Sequence, residues 1–121
     1  MAIQGDNDTW FRRDDFSAIV SPDGEGSVLV KLTGEFDLST AADLRQCLVH
    51  SDVVNAENVQ IDMTGVTFLD SSNIGLLIAA CKRTRSSGGA FSVRCGDGAP
   101  RRVLEISGLV EYLQVRPAAG H

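Results

Sequence analysis

The chain has 121 residues, 43% of them hydrophobic and 22% charged, a composition typical of one globular domain and not of a disordered or coiled-coil protein. Its 11 basic and 16 acidic residues give a formal net charge of -5, which disfavours binding to nucleic acid or to an anionic membrane. The polar N-terminus lacks a signal-peptide pattern, and no apolar stretch reaches the length of a membrane span. We therefore expect a cytoplasmic protein with no nucleic-acid and no membrane partner.

The first third of the chain predicts an extension followed by a hairpin. Residues 1–14 are predicted to be a loose N-terminal extension, which Trp10 or Phe11 attaches to the body of the protein or to a partner. Residues 16–20 and 28–32 have the pattern of strands, and the intervening turn is rich in Pro and Gly. The two strands are therefore placed to form a hairpin.

The middle of the chain predicts two helices around one strand. Residues 40–50 indicate a helix in which Thr40 and Asp43 resemble a capping box, and residues 59–63 indicate a third strand. The helix predicted over 72–85 has the clearest apolar face, formed by Ile74, Leu77, Ile78 and Cys81. A basic run at 82–85 complements the dipole at the end of this helix, and two glycines then stop it.

The last third predicts a fourth strand over 91–95 and a third helix over 100–107. Residues 110–115 fit a last strand or a short helix equally well, and 117–121 form a short tail. The predicted domain therefore spans residues 15–116.

The order of these elements predicts the fold class. Alternating strands and helices favour parallel pairing through right-handed crossovers. Within the strands nearly every second residue is polar, whereas a sheet covered on both faces has continuous apolar runs. We therefore predict an α/β fold with a single sheet of mostly parallel strands and helices packed mainly on one face, which disfavours flavodoxin-like and dinucleotide-binding folds. Val30, Ile61 and Val93 should be buried, and the solvent-accessible positions should include Lys31, Gln60, Asp62 and Arg94.

Motifs for catalysis and metal binding are missing from the sequence. There is no glycine-rich nucleotide motif and no nucleophile elbow, and the histidines are His50, near a predicted helix end, and the terminal His121. The three cysteines, at positions 47, 81 and 95, are odd in number and widely spaced, which predicts buried free thiols and no disulfide or zinc site. We therefore expect a protein that is not an enzyme and has no cofactor.

Two polar segments stand out, and both follow predicted parallel strands. Residues 68–75 read Phe-Leu-Asp-Ser-Ser-Asn-Ile-Gly and enter the best helix, so Asp70, Ser71 or Ser72 is a candidate N-cap. Residues 34–40 read Gly-Glu-Phe-Asp-Leu-Ser-Thr and enter the preceding helix. Because functional sites in open α/β sheets gather at the carboxyl ends of the strands, we expect Asp37 to lie near Asp70 and Ser71.

The sequence resembles the STAS domain of anti-sigma factor antagonists. The resemblance rests on these two segments, on the strand and turn at 59–72, and on Arg-Arg-Val-Leu-Glu-Ile-Ser-Gly-Leu at 101–109. The resemblance covers about residues 16–115. It implies a sheet with helices on one face, and it implies that Ser71 is phosphorylated by an anti-sigma factor with serine kinase activity and restored by a phosphatase. The unphosphorylated form would bind that anti-sigma factor and so release the sigma factor.

The resemblance also implies a partner-binding surface around the phosphorylation site. Its members are Asp37, Ser39, Thr40, Asp70, Ser72 and Asn73. Asn73 departs from the family pattern, which most often has Gly at this position, and the departure leaves partner choice and phosphorylation rate open.

Three alternatives remain at this point. The same fold also serves as an interaction module in signalling scaffolds and lipid-transport assemblies, and in transporter tails, which the lack of a preceding membrane span disfavours. A receiver domain phosphorylated on aspartate would need continuous apolar strands. An enzyme would need a nucleophile paired with a base, which the sequence does not offer.

Overall fold

The computed structural model describes residues 2–5, 8–13 and 15–118, and within them the strands form one seven-stranded sheet. The strands are β1 (Ala2–Gly5), β2 (Asp8–Arg13), β3 (Phe16–Pro22), β4 (Ser27–Phe36), β5 (Asn58–Leu69), β6 (Ala90–Arg94) and β7 (Val115–Arg116). The helices are α1 (Ala41–Leu48), α2 (Ser51–Val54), α3 (Ser71–Ser86) and α4 (Ala99–Ile106), and a 3-10 turn, Leu38–Thr40, precedes α1. No helix in these ranges is both long enough and apolar enough to cross a membrane.

The strands lie side by side in chain order, and the pairing changes at β4. From β1 to β4 neighbouring strands are antiparallel, and from β4 to β7 they are parallel. Each parallel step passes through a helix, and right-handed crossovers that always advance in the same direction place their helices on the same face. The predicted hairpin is β3–β4, and the predicted one-sided α/β sheet is confirmed.

Burial along the strands follows the predicted alternation. Val30 and Ile61 are fully buried and Val93 is 1% exposed, beneath the helices. On the opposite face Lys31 is exposed, and Gln60, Asp62 and Arg94 are half-buried. Cys47, Cys81 and Cys95 are free thiols in the core, and burial raises the pKa of Cys47 to about 12, so this thiol stays protonated.

The N-terminal segment corrects the prediction of a loose extension. Residues 2–5 and 8–13 are strands β1 and β2, and β2 pairs with β3 from Thr9↔Val20 to Arg13↔Phe16. Phe11 is 3% exposed and joins the core, as predicted for an anchoring residue, whereas the side chain of Trp10 lies outside the described residues. The alternation of buried Thr9 and Phe11 with the exposed Arg12 explains the strand.

The helix predicted over 40–50 is also corrected. The 3-10 turn ends at Thr40, α1 ends at Leu48, and a separate helix, α2, follows the predicted range; the Thr40 side chain makes no capping hydrogen bond. His50 begins α2 instead of ending a helix, because its Nδ1 accepts a hydrogen bond from the Asp52 amide at 3.2 Å. The open question over 110–115 is answered by a turn that leads into β7. Of the predicted tail, residues 119–121 lie outside the described residues.

Gly34 fixes the path of β4 next to the β2–β3 connection, and its replacement should be costly. It has a φ of 99°, and an added Cβ would collide with the Asp15 carbonyl oxygen, which accepts a hydrogen bond from the Glu35 amide at 3.0 Å. We expect Gly34→Ala to lower the free energy of unfolding by about 2 kcal/mol or more in urea denaturation. The control is Gly75→Ala in α3, where the added Cβ has no atom within 4 Å. That change should be neutral or stabilising by about 0.5–1 kcal/mol, and equal losses in both variants would contradict the argument.

Candidate functional site

The two polar segments meet at one edge of the sheet, as the sequence predicted. Strands β4 and β5 are parallel and end together, with Phe36 opposite Leu69. The backbone amide of Asp70 donates a hydrogen bond to the Phe36 carbonyl at 3.1 Å, which ties the start of one loop to the start of the other. Asp37 and Asp70 are therefore neighbours, and each faces solvent at the carboxyl end of its strand.

Asp37 organises the first loop. Its Oδ1 accepts hydrogen bonds from the Ser39 amide at 2.9 Å and from the Ser39 hydroxyl at 2.6 Å. The Ser39 hydroxyl lowers the pKa of Asp37, against the opposing effects of desolvation and of the Asp70 charge. Asp37 is thus ionised at neutral pH and caps the 3-10 turn.

Asp70 organises the second loop as the N-cap of α3. Its Oδ1 accepts hydrogen bonds from the Ser72 hydroxyl at 2.7 Å and from the Asn73 amide at 3.2 Å. Desolvation raises the pKa of Asp70, but the hydrogen bonds from Ser72 and Asn73 outweigh it and bring the pKa below its ordinary value. The site therefore holds two carboxylates that are both charged at neutral pH.

Asn73 connects the two loops from the core side. It is fully buried, and its Nδ2 lies 2.8 Å from the Phe36 carbonyl oxygen, 2.9 Å from the Asp37 carbonyl oxygen and 2.8 Å from Asp70 Oδ1. Three acceptors around one nitrogen fix the orientation of the amide, and its Oδ1 is buried without a hydrogen-bond partner among the described residues. Asn73 thus holds the β4–α1 loop against the first turn of α3.

Ser71 is the exposed residue of this group. It is the first residue of α3, directly after the capping Asp70, and its hydroxyl makes no hydrogen bond with the described residues. The neighbouring Ser72 is half-buried, and its hydroxyl is held by Asp70. Of the two serines, Ser71 therefore has the hydroxyl that an external protein can reach.

An apolar groove runs beside Ser71 between α1 and α3. It has a volume of about 520 Å³ and is lined by Ala41, Ala42, Arg45, Gln46, Val49, Ser72 and Leu76. Exposed apolar side chains lie at the edge and along the groove: Leu38, before α1, is 77% exposed, Phe68, near the end of β5, is 47% exposed, and Val49, which lines the groove after α1, is 53% exposed. Exposed apolar groups beside polar loops make this edge a candidate interaction surface. Sequence reasoning missed them, although Leu38 in a polar loop was a visible signal.

The structure divides the predicted partner-binding residues into two layers. Asp37, Ser39, Asp70 and Ser72 retain solvent exposure at the edge, whereas Thr40 is 2% exposed and Asn73 is fully buried. The Thr40 hydroxyl donates to the Asp37 carbonyl at 3.0 Å, so Thr40, like Asn73, supports the loop from the core side. Within the described residues no cluster of three or more histidines, cysteines or carboxylates could hold a metal ion.

Asn73→Ala should loosen this edge. The change removes the hydrogen bonds that Asn73 Nδ2 donates to the Phe36 and Asp37 carbonyls and to Asp70, although both carbonyls keep another donor, so we expect the free energy of unfolding to fall by about 1–3 kcal/mol. Hydrogen exchange should rise at the Ser39 and Thr40 amides, measured by NMR. Ser72→Ala is the control, because it removes one partly exposed hydrogen bond to Asp70 and should leave exchange in the β4–α1 loop unchanged. Unchanged loop exchange in Asn73→Ala would contradict the proposed tie.

Comparison with known proteins identifies the family of the chain. The family model for the STAS domain matches residues 18–120. The anti-sigma-B factor antagonist of Bacillus subtilis (strain 168) is 25% identical over 91 residues, covering 75% of this chain and 83% of that protein. The anti-sigma F factor antagonist of Paenibacillus polymyxa is 27% identical over 92 residues, covering 74% and 78%.

A solved structure matches over a similar extent. The crystal structure of an anti-sigma factor antagonist from Mycobacterium paratuberculosis superposes with a TM-score of 0.77 at 26% identity, covering 89% of this chain and 91% of the other. A family match over most of the chain and a matching fold lead to the same assignment: the chain belongs to the STAS domain family.

Proposed function

We propose that this protein is an anti-sigma factor antagonist. In its unmodified form it binds an anti-sigma factor with serine kinase activity, and phosphorylation of Ser71 by that partner releases it. A phosphatase acting on phospho-Ser71 restores the binding form, and the exchange takes place in the cytoplasm. The observation that carries the proposal is the exposed Ser71 hydroxyl at the start of α3, which has no hydrogen-bond partner among the described residues and lies beside two ionised carboxylates. The names of the related proteins support the same general function.

The site can accept a phosphate without refolding. Ser71 occupies the first turn of a 16-residue helix, where backbone amides lack intrahelical partners and the helix dipole favours negative charge. The Asp70 cap and the Asn73 tie are made without the Ser71 hydroxyl, so neither must break when that hydroxyl is phosphorylated. We therefore expect phosphorylation to change the charge of the surface more than its shape.

Charge is what should release the partner. Asp37 and Asp70 already make the edge negative, and a phosphoserine adds about -1.5 to -2 charges at neutral pH. The neighbouring groove is lined by one basic residue, Arg45. Its single positive charge is smaller than the combined negative charge of Asp37, Asp70 and the phosphate. A partner that buries this edge must then desolvate a dianion next to two carboxylates, which costs binding energy.

The partner should contact both the polar edge and the apolar groove. Leu38 and Val49 offer exposed apolar surface on either side of α1, and burying such groups supplies most of the affinity in protein interfaces. The polar members Asp37, Ser39, Asp70 and Ser72 would fix the register of the kinase on Ser71. Thr40 and Asn73 would act on binding through the shape of the loop.

The first test is the position of the phosphate. Incubation with ATP and the purified cognate anti-sigma factor should add one phosphate, which mass spectrometry of peptides should locate on Ser71. Ser71→Ala should remain unlabelled. Ser72→Ala is the matched control for the identity of the acceptor and should still carry the phosphate on Ser71, even where the lost contact with the kinase slows labelling, because the Ser72 hydroxyl is engaged by Asp70. Labelling that persists in Ser71→Ala, or that disappears in Ser72→Ala alone, would overturn the assignment.

The second test is the affinity of the modified forms for the same anti-sigma factor, measured by titration calorimetry. Phosphorylation should weaken binding at least tenfold, equivalent to about 1.4 kcal/mol. Ser71→Asp should weaken it less, because a carboxylate has less charge and fewer acceptor oxygens than a phosphate. Ser71→Ala should bind as the unmodified protein does. Equal affinities of the phosphorylated and unmodified proteins would refute the switch even if Ser71 is the modified residue.

A further inference from the structure

The open face of the sheet carries a row of charged residues that the proposed function does not use. The pairing registers place Lys31 on β4 next to Asp62 on β5, Asp62 next to Arg94 on β6, and Arg94 next to Arg116 on β7. The row therefore contains three basic groups and one acidic group in a chain whose net charge is -5. Its positive end lies at β6 and β7, away from the Ser71 edge.

The two arginines at this end are not neutralised by the described part of the chain. Neither the Arg94 nor the Arg116 side chain forms an ion pair or a hydrogen bond with the described residues, and the Arg94 Nε is buried without a partner. Asp62 is the adjacent acid, but its Oδ1 is held by the Thr64 amide at 2.9 Å and the Thr64 hydroxyl at 2.7 Å. Like charges side by side on neighbouring strands, and a buried donor without an acceptor, both destabilise a fold unless an anion is bound.

A groove adjoins Arg116 on the same side of the sheet. It has a volume of about 390 Å³, and its wall includes Gln60, Ser92, Gln114 and Arg116, with one further acid, Asp23, and one further base, Arg85. Carboxamides, a hydroxyl and guanidiniums supply donors, and the aliphatic stems of the glutamine and arginine side chains can pack against a carbon skeleton. Gln114 has a left-handed φ of 56°, and its carbonyl accepts a hydrogen bond from the Val93 amide at 3.1 Å, which holds this wall against β6.

We propose that this face binds a small phosphate ester. The phosphate lies between the Arg94 and Arg116 guanidiniums, and the organic part occupies the groove lined by Gln60, Ser92 and Gln114. Two positive charges without an acidic partner among the described residues match the charge of about -1.5 to -2 on a phosphate monoester at neutral pH. The forked guanidinium donors match the geometry of its oxygens. The site lies on the open sheet face and does not include Ser71, so it is a second binding function.

The test is titration calorimetry of the full chain with inorganic phosphate and with phenyl phosphate in a buffer of low ionic strength. Both should bind, and phenyl phosphate should bind more tightly because its ring enters the groove. Arg94→Gln and Arg116→Gln should each weaken phenyl phosphate binding about tenfold or more, as expected for the loss of one charge-assisted contact. Arg102→Gln, on the exposed surface of α4, is the matched control and should bind as the unmodified chain does.

Each result decides a part of the proposal. The site is overturned if neither probe binds at concentrations up to about 10 mM. A Kd of about 10 mM corresponds to a binding free energy under 3 kcal/mol. Equal affinity for the two probes would overturn the role of the groove. If Arg102→Gln weakens binding as much as Arg94→Gln and Arg116→Gln do, binding depends only on the net charge of the chain and the site is overturned. Circular dichroism establishes that each variant is folded, and NMR shifts of the Ser92 and Gln114 amides on titration give a readout independent of heat. The unmodified and Ser71→Ala chains should bind the probes equally, so this proposal can fail or succeed apart from the partner switch.

Discussion

The Phe36 carbonyl, at the end of β4, accepts one hydrogen bond from the Asp70 amide at 3.1 Å and another from Asn73 Nδ2 at 2.8 Å. These two bonds connect parts of the chain that are far apart in sequence, and they set the distance between the loops that follow β4 and β5. Without them, Asp37 would lie at a distance from Ser71 determined only by the sheet spacing. The buried position of Asn73 makes the connection strong, since a hydrogen bond shielded from water is harder to replace by solvent.

That connection has an electrostatic consequence. It brings two carboxylates to the same edge, and each is kept ionised by local donors: Ser39 for Asp37, and Ser72 with Asn73 for Asp70. Because both carboxylates have folded-state pKa values below the ordinary one, the stabilisation they provide is present at neutral pH and disappears as acid protonates them. At neutral pH the edge therefore carries the full charge of both carboxylates. The hydrogen bonds that these carboxylates accept hold the loops in the same pH range. A phosphate on Ser71 adds to an existing field, so a single modification can change partner affinity without a change of fold.

The sequence predicted those features that depend on local pattern. Period-two alternation identified the buried Val30, Ile61 and Val93. The small polar run before α3 limited the N-cap to Asp70, Ser71 or Ser72, and the structure selects Asp70. Asn73 could not be placed in the core from sequence, because its burial depends on the Phe36 carbonyl, which arrives from a different strand. The strand β2 was missed for a related reason: its charged residues suggest a solvated tail, and only pairing with β3 brings Phe11 into the core.

The one-sided sheet explains how two surfaces of opposite character can exist on so small a domain. Helices cover one face, so each strand has a solvated face and a carboxyl end that are free to carry different chemistry. On β5 the solvated face carries Asp62 in a charged row, and the end carries Asp70 and leads to Ser71. Had Arg94 and Arg116 been placed at the Ser71 edge, they would pair with the phosphate and weaken the repulsion that releases the partner. The separation of the basic face from the acidic edge is therefore a condition for a switch driven by charge.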